Sequence, residues 1–505
     1  MRRRARGNAA PVGRQLGGAP PGRVALTKDL SATRLSLTRI WQRLRVASIQ
    51  AAHDPFRVTL FILIILTVSR IHEQFPAFKA LRPALVVTGL AAAIAYAKPA
   101  LLSNRPYLET WPAKLIAGFA VLALLSAPFG ISFGSSAEFI LTVYAKTIVL
   151  AFLIIAAMRS PRDYYGLVWT VVVSTALLCW TSLFVFKVQH YAGYDRLAGL
   201  ATYDANDLGL VLLIGLAFTL LAFHSAGKVG KVFCAIVLVG IGAAISKSGS
   251  RGAFLGLIAC GIAVLLFLDS ISIVRRVAVV VVTGAALSVF SPPGYWMQMR
   301  TLLSPEHDYN WDSPTGRRQV TLRGIGYFEQ YPWFGLGINN FERAECTISS
   351  LALRHNTGPL RCTPPHNAYL EAGAETGVGG IVLWMLMIPG GVISLLLLRR
   401  RVPRQWARGN AEQRLLYISP GYLAVGFVGF AVGSFFLSFA WVDVTYVLVA
   451  AWAALEVAIK SMMLADRRPL EPAVQAAPKS RYRPSVVRPV SDRNPAWRMS
   501  WRMSW

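Results

Sequence analysis

Acidic residues are scarce in this chain of 505 residues: 24 Asp and Glu stand against 52 Lys and Arg, and charged residues together make up only 15%. So little charge, with 54% hydrophobic residues and a mean hydropathy of +0.47, excludes an ordinary water-soluble enzyme and indicates an integral membrane protein. The basic surplus lies in the first 57 residues, in the run Arg399 to Arg414 and after Asp466, flanking apolar stretches rather than covering one folded, aromatic-bearing surface. That placement argues against nucleic acid as a partner and follows the positive-inside pattern. Cysteine is sparse too. Cys179, Cys234 and Cys260 fall in apolar runs, where cysteine behaves as a small hydrophobe. Only Cys346 and Cys362 share a polar segment, as a candidate disulfide that contributes about 3 kcal/mol in the chain-entropy account. The N-terminus has no apolar run before Val58, which does not fit a cleavable signal peptide.

Against these absences stand about twelve apolar runs that approach the ~20 residues a helix needs to cross a bilayer. They lie at about 57–71, 83–97, 112–128, 138–158, 164–186, 208–223, 232–246, 252–268, 277–290, 377–398, 416–437 and 442–464. The expected class is an all-α polytopic membrane protein. Residues 1–56 read as a disordered basic cytosolic arm, 57–290 as nine transmembrane helices, 291–376 as an extracytoplasmic loop domain, 377–465 as three more helices and 466–505 as a basic cytosolic tail. The tail ends in the basic, aromatic repeat WRMSWRMSW, which suits an anionic lipid surface or is an incidental duplication.

Placing the basic arm in the cytosol and counting crossings puts Arg159–Arg162, His224–Lys231, Arg275–Arg276 and Arg399–Arg414 on the same side, as the charge rule requires. The segments 72–82, 129–137, 187–207, 247–251, 291–376 and 438–441 then lie outside. The fifth is too long for a simple connection and contains helix-competent pieces such as Arg317 to Gln330.

Topology thus brings four separated groups to one face: Arg196, Arg251, Arg317 with Arg318, and His366. Each has a bland reading, as an interfacial arginine, a solvated helix face or a structural histidine. Together they suit a diphosphate leaving group, because guanidiniums grip phosphate oxygens bidentately and stay charged at any working pH. In Pro364-Pro365-His366-Asn367 the prolines are expected to begin a helix, which would set the imidazole near a helix N-terminus, as a neutral general base. Glu371 and Glu375, one turn apart, read either as ligands or bases or as helix-surface and hydrogen-bonding groups. Asp308 and Asp312 sit among Tyr, Asn and Pro and make no convincing metal site. Lys146, within an apolar run, is read as a phosphate contact, a partner of Glu138 or the mark of a misplaced span boundary.

His366-Asn367, nine residues, then Gly377-Val378-Gly379-Gly380 fits H-[NSQ]-x9-G-x-x-[GTY] and resembles the bacterial O-antigen ligases and their polymerase relatives. RLAGLATYDAND before a span, SGSRG after one and GRRQ…YPWFGLGINNF inside the large loop are similar in arrangement. The likeness covers about Val58 to Ala465. A second pair, His355-Asn356, fails the pattern, because His366 stands where glycine is required.

The resemblance implies a membrane glycosyltransferase of GT-C type in the bacterial inner membrane, its site facing the periplasm. The donor would be an undecaprenyl-pyrophosphate-linked glycan, and the acceptor a hydroxyl of the lipid A-core or of a growing glycan. It also implies His366 as base, Arg196, Arg251 and Arg318 or Arg317 as pyrophosphate contacts, Asn367, Gly377 and Gly380 as supporting residues, and an inverting displacement that calls for no metal or cofactor; Lys146 joins the supporting residues on its own reading as a charge inside a span. The tryptophan often found shortly after the loop arginine is Leu322 here, so Arg317 competes with the favoured Arg318. O-antigen ligase is the leading expectation. An O-antigen or exopolysaccharide polymerase, a protein O-glycan transferase and a polysaccharide transporter are the alternatives.

Overall fold

The computed structural model describes residues 54–97, 109–191, 194–198, 203–304, 313–354 and 362–467. Most of both basic termini, Asp308, Asp312 and the pair His355-Asn356 lie outside the described residues. The chain divides into Met1–Met462 and Met463–Trp505, the second described only as the end of the last helix.

Each of the twelve apolar runs falls on a helix. In order they are α1 (Pro55–Ser69), α2 (Pro83–Ala97), α3 (Trp111–Phe129), α4 (Phe133–Ala157), α5 (Pro161–Phe184), α6 (Ala205–Ser225), α7 (Lys228–Ser248), α8 (Arg251–Phe267) and α9 (Ile273–Phe290). A second stretch follows: α10 (Tyr295–Arg300), α11 (Arg317–Gln330) and α12 (Phe341–Thr347). The chain then re-enters long helices, α13 (Ala368–Met387) continuing as α14 (Pro389–Arg401), then α15 (Ala411–Gly433) and α16 (Asp443–Arg467). Among the described residues nine helices are long and apolar enough to cross a membrane, while α1, α2 and α8 are shorter.

Their ends are written in the sequence. Ser160 with Asp163, Asp204 with Asp207 and Asn410 with Gln413 form reciprocal capping boxes that satisfy the first free N–H groups of α5, α6 and α15. Proline stands in the first turn of α1, α3 and α5, where its missing N–H costs nothing. In the interior of the bundle α15 packs on both α6 and α8, and α6 also packs on α7. α6 and α15 are the most buried of these, apolar all round as expected where little of a helix meets lipid or water, while α7 and α8 keep an exposed apolar face.

Two features depart from an all-helical reading. Residues 187–207, expected as a plain connection, contain an antiparallel hairpin, β1 (Lys187–Tyr191) with β2 (Tyr194–Ala198), in which Gln189 pairs with Arg196. The second is an interruption in α13: Gly377 takes φ 71°, ψ −162° inside an otherwise continuous helix.

The segment between α9 and α13 has, with α13 itself, a small core of Val320, Tyr327, Leu336, Phe341, Ala344 and Ala374, with Ile131 packed against it. Ile131 N–H donates to the Leu336 carbonyl (2.9 Å), and Ser136 Oγ donates to that of Ile338 (2.8 Å). The loop domain is therefore seated on the junction of α3 and α4.

Candidate functional site

A cavity of about 520 Å³ gathers Arg251, Arg317, Arg318, His366 and Asn367, with Thr301, Thr321, Pro365 and the apolar walls Leu255, Leu302, Leu322, Phe435 and Phe436. These residues lie up to 185 positions apart, and five separate stretches of chain supply them. Arg251 opens α8, Arg317 and Arg318 open α11, His366 and Asn367 precede α13, and Phe435 and Phe436 end the turn after α15. Arg251 and Arg317 are half-buried and Arg318 is exposed. A wall that is apolar on one side and cationic on the other suits an anion carried on a lipid.

His366 is held by its backbone. It has φ 49°, in the left-handed region that few side-chain-bearing residues occupy. Its N–H donates to Ser438 Oγ at 2.9 Å. Asn367, not the prolines, caps the helix: its Oδ1 accepts from the N–H groups of Tyr369 (2.9 Å) and Leu370 (3.1 Å). The expectation that Pro364 and Pro365 begin the helix is therefore corrected. They stand in irregular chain before the cap, and His366 is the residue outside it.

The interruption at Gly377 explains the glycines of the motif. A Cβ at Gly377 would collide with the carbonyl oxygens of Pro332 and Trp333, and the positive φ is strained for any other residue. At Gly380 a Cβ would meet the Thr376 side chain and the Ala372 carbonyl. The backbone groups released by the interruption are taken up by the loop. Val378 N–H donates to the Pro332 carbonyl (2.7 Å), Leu336 N–H to that of Ala374 (2.8 Å) and Gly337 N–H to that of Glu375 (3.0 Å). YPWFGLGINNF is the strip that completes the split helix.

Glu371 and Glu375 are both buried and both spent on positioning. Glu375 accepts from Asn339 N–H (2.6 Å), Phe341 N–H (2.9 Å) and Trp441 Nε1 (2.7 Å), and Glu371 from Ala440 N–H (2.8 Å). Neither lines the cavity. Of the two sequence readings the structure takes the hydrogen-bonding one, and buried rather than on the helix surface.

The arginine-bearing helix is clamped separately. Arg323, about a turn and a half beyond Arg317, pairs with Glu345 of α12 through Nε (2.9 Å) and Nη2, and Tyr327 Oη donates to the same carboxylate (2.9 Å). The hydrogen bonds to Glu345 raise the Arg323 pKa against the opposing effect of burial. Cys346, in α12, is disulfide-bonded to Cys362, with Cα atoms 5.1 Å apart. That bond ties the arginine-bearing subdomain to the irregular segment leading into Pro364.

Not every expected site residue arrives. Arg196 does not line the cavity; its Nε donates to the Ser248 carbonyl (3.2 Å) at the end of α7, three residues before Arg251. The hairpin directs it there, and a hairpin was not foreseen. Arg251 Nη1 donates to Thr301 Oγ1 at 2.8 Å. Lys146 is exposed on α4, near the π-helical turn Ile140–Tyr144, and is not among the cavity residues. Ser438, Thr301 and the Phe435-Phe436 wall were missed. Ser438 and Thr301 lay in segments assigned to the outer face, but nothing in their type marked them, while Phe435 and Phe436 fell inside an apolar run.

A polytopic membrane protein with a histidine and three guanidiniums around one cavity is the class that fold and geometry define. The family model described as O-antigen ligase matches residues 235–385, which run from α7 through Arg251, Arg317, Arg318, His366 and Gly377 into α13. Over that region the chain resembles the O-antigen ligases. No curated protein matches it.

Proposed function

We propose that the protein is a glycosyltransferase of the bacterial inner membrane that moves a glycan from an undecaprenyl-pyrophosphate carrier to an acceptor hydroxyl on the periplasmic face, as an O-antigen ligase acting on the lipid A-core. The observation that carries this reading is the shared cavity: one imidazole and three guanidiniums border a space within the ordinary size range for small-molecule sites.

In this mechanism His366 accepts the proton of the acceptor hydroxyl, whose oxygen forms a bond to the anomeric carbon from the face opposite the diphosphate. The bond from that carbon to the diphosphate oxygen breaks, and its electron pair leaves with undecaprenyl pyrophosphate. Arg251, Arg317 and Arg318 stabilise the charge that develops on the leaving oxygens. Displacement from the opposite face inverts the anomeric centre. The carrier's lipid chain lies in the membrane beside Leu255 and Phe435–Phe436, with its phosphates at the arginines. Arg196, bound to the end of α7, supports the Arg251 turn instead of gripping phosphate directly.

Purified protein given one undecaprenyl-linked glycan, with either lipid A-core or a second lipid-linked glycan, tests the acceptor. Glycosylated lipid A-core is the expected product. A lengthened glycan still on undecaprenyl would make the protein a polymerase and overturn the ligase reading.

A further inference from the structure

A second polar cavity, of about 440 Å³, lies at the opposite ends of the same core helices, where α6 finishes, α8 has just finished and α15 begins. His224, Ser225, Ser270, Arg414, Tyr417 and Ile418 line it. Its charge is one-sided. Among the described residues no ion pair reaches Arg414: Glu412, two residues before it, holds Arg162 (2.7 Å), and Asp269, next to the lining residue Ser270, holds Arg399. Lys231 and Arg275 add positive charge within electrostatic reach of His224. His224 Nδ1 is shared with Tyr422 Oη at 2.8 Å, which fixes the ring and leaves Nε2 outside that bond. The lining therefore offers a guanidinium, an imidazole and hydroxyls to an anion, beside the apolar side chains of Leu415 and Ile418.

We propose that this cavity binds the phosphate ester of an anionic phospholipid headgroup in the cytosolic leaflet. The inference rests on the orientation that puts Arg399–Arg414 in the cytosol, not on the chemistry of the outer cavity. Three features select the occupant. The site stands at helix ends, the depth of a headgroup, and its mixed lining matches an amphiphile better than a free ion. The long segments of chain at both termini are basic, so like charge keeps them out. Cytosolic leaflets carry anionic lipids, and basic pockets between helices on that side are their usual receptors. Inorganic phosphate shares the anionic phosphate oxygens and lacks the glycerol esters and acyl chains.

The test uses the full-length protein in nanodiscs of phosphatidylcholine doped with phosphatidylglycerol, read by native mass spectrometry after release into detergent, with thermal unfolding alongside. Phosphatidylglycerol is expected to stay bound to the wild type and to raise its Tm. Arg414→Gln, a change at an exposed side chain, is expected to lose about tenfold in retention, the worth of one charge-assisted hydrogen bond. Lys228→Gln removes one charge from the same face without touching the lining and is expected to retain the lipid as the wild type does. Equal loss in both variants would show diffuse attraction and overturn the site, as would equal retention of phosphatidylcholine. Stabilisation by inorganic phosphate alone, matching that of phosphatidylglycerol, would overturn the lipid as occupant. Loss of glycan transfer in His366→Ala with lipid retention unchanged would separate this site from the outer one.

Discussion

The outer and inner cavities are close in size, about 520 and 440 Å³, and α8 and α15 or their flanks contribute to both, yet they are held very differently. The outer one sits inside a frame of positive φ at His366, a split helix at Gly377, two buried carboxylates and a disulfide. The inner one is bordered by regular helix ends and one hydrogen bond between His224 and Tyr422. With the two proposed roles, the difference is what a reacting site demands that a headgroup site does not. An ion can be gripped by any cluster of donors within reach, whereas proton transfer concerted with displacement requires one nitrogen at one place.

The largest way to break the contrast is His366→Ala. Loss of a general base is expected to lower glycan transfer by about 10²–10⁴-fold while donor binding persists. Transfer assays with a lipid-linked glycan, paired with a donor-binding measurement, check it. Full activity in the variant would end the base assignment and leave the outer cavity no different in kind from the inner one.

Next is Gly377→Ala, which attacks the frame alone. A methyl group must clear two carbonyl oxygens at a backbone conformation reserved for glycine, so about 3 kcal/mol or more of stability is expected to be lost. Unfolding in detergent against temperature gives the shift directly. Gly227, the N-cap of α7, has negative φ and open space around it, so its change to Ala is expected to cost no more than about 1 kcal/mol.

Third, Arg318→Lys keeps the charge and removes the fork. If Arg318 grips the diphosphate bidentately, kcat/KM is expected to fall by about 10- to 30-fold, equivalent to ~1.5–2 kcal/mol, with stability unchanged because the side chain is exposed. The same change at Arg317 ranks the two neighbours, since both line the cavity. A larger loss at Arg317 would reverse the order favoured from sequence.

Much of this frame was legible in the residues, and the part that was not has a physical reason. Hydropathy located all twelve apolar helices, because burial in lipid leaves an unmistakable compositional trace. The starts of α5, α6 and α15 lie three to five residues before the apolar runs that located them, because polar capping boxes and not hydropathy set them. Arg317 to Gln330 was recognisable as a helix from its local composition, and α11 has those bounds. The start of α13 was misread because a double proline is a strong local signal for a first turn, while the cap that wins, Asn367, acts with a left-handed residue held by Ser438 from 72 positions away. The split at Gly377 was hidden for the same cause: it exists only because residues 332–337 supply the missing partners. Arg196 was drawn to the cavity by topology, which reports a membrane face and not a position on it. Lys146 was singled out as a charge among apolar neighbours, but such a charge can equally well point away from the bundle.

The smallest expected effect tests the most particular feature of the outer frame. Ser438 is a positioning residue: its hydroxyl accepts from His366 N–H and so anchors a backbone conformation that the histidine would otherwise leave. Removing one neutral hydrogen bond costs about 1 kcal/mol, so Ser438→Ala is expected to lower kcat about fivefold. Donor KM should hold, because the arginines stand on α8 and α11 and do not depend on this bond. Ser438→Thr restores an acceptor oxygen and is expected to recover most of the rate. A merely structural role would lower the amount of folded protein and spare kcat per folded molecule, whereas loss of aim lowers kcat alone. Equal rates in Ala, Thr and wild type would mean that His366 keeps its place without Ser438, and the rigidity that separates the outer cavity from the inner one would then rest on Asn367, Glu371 and the Gly377 split.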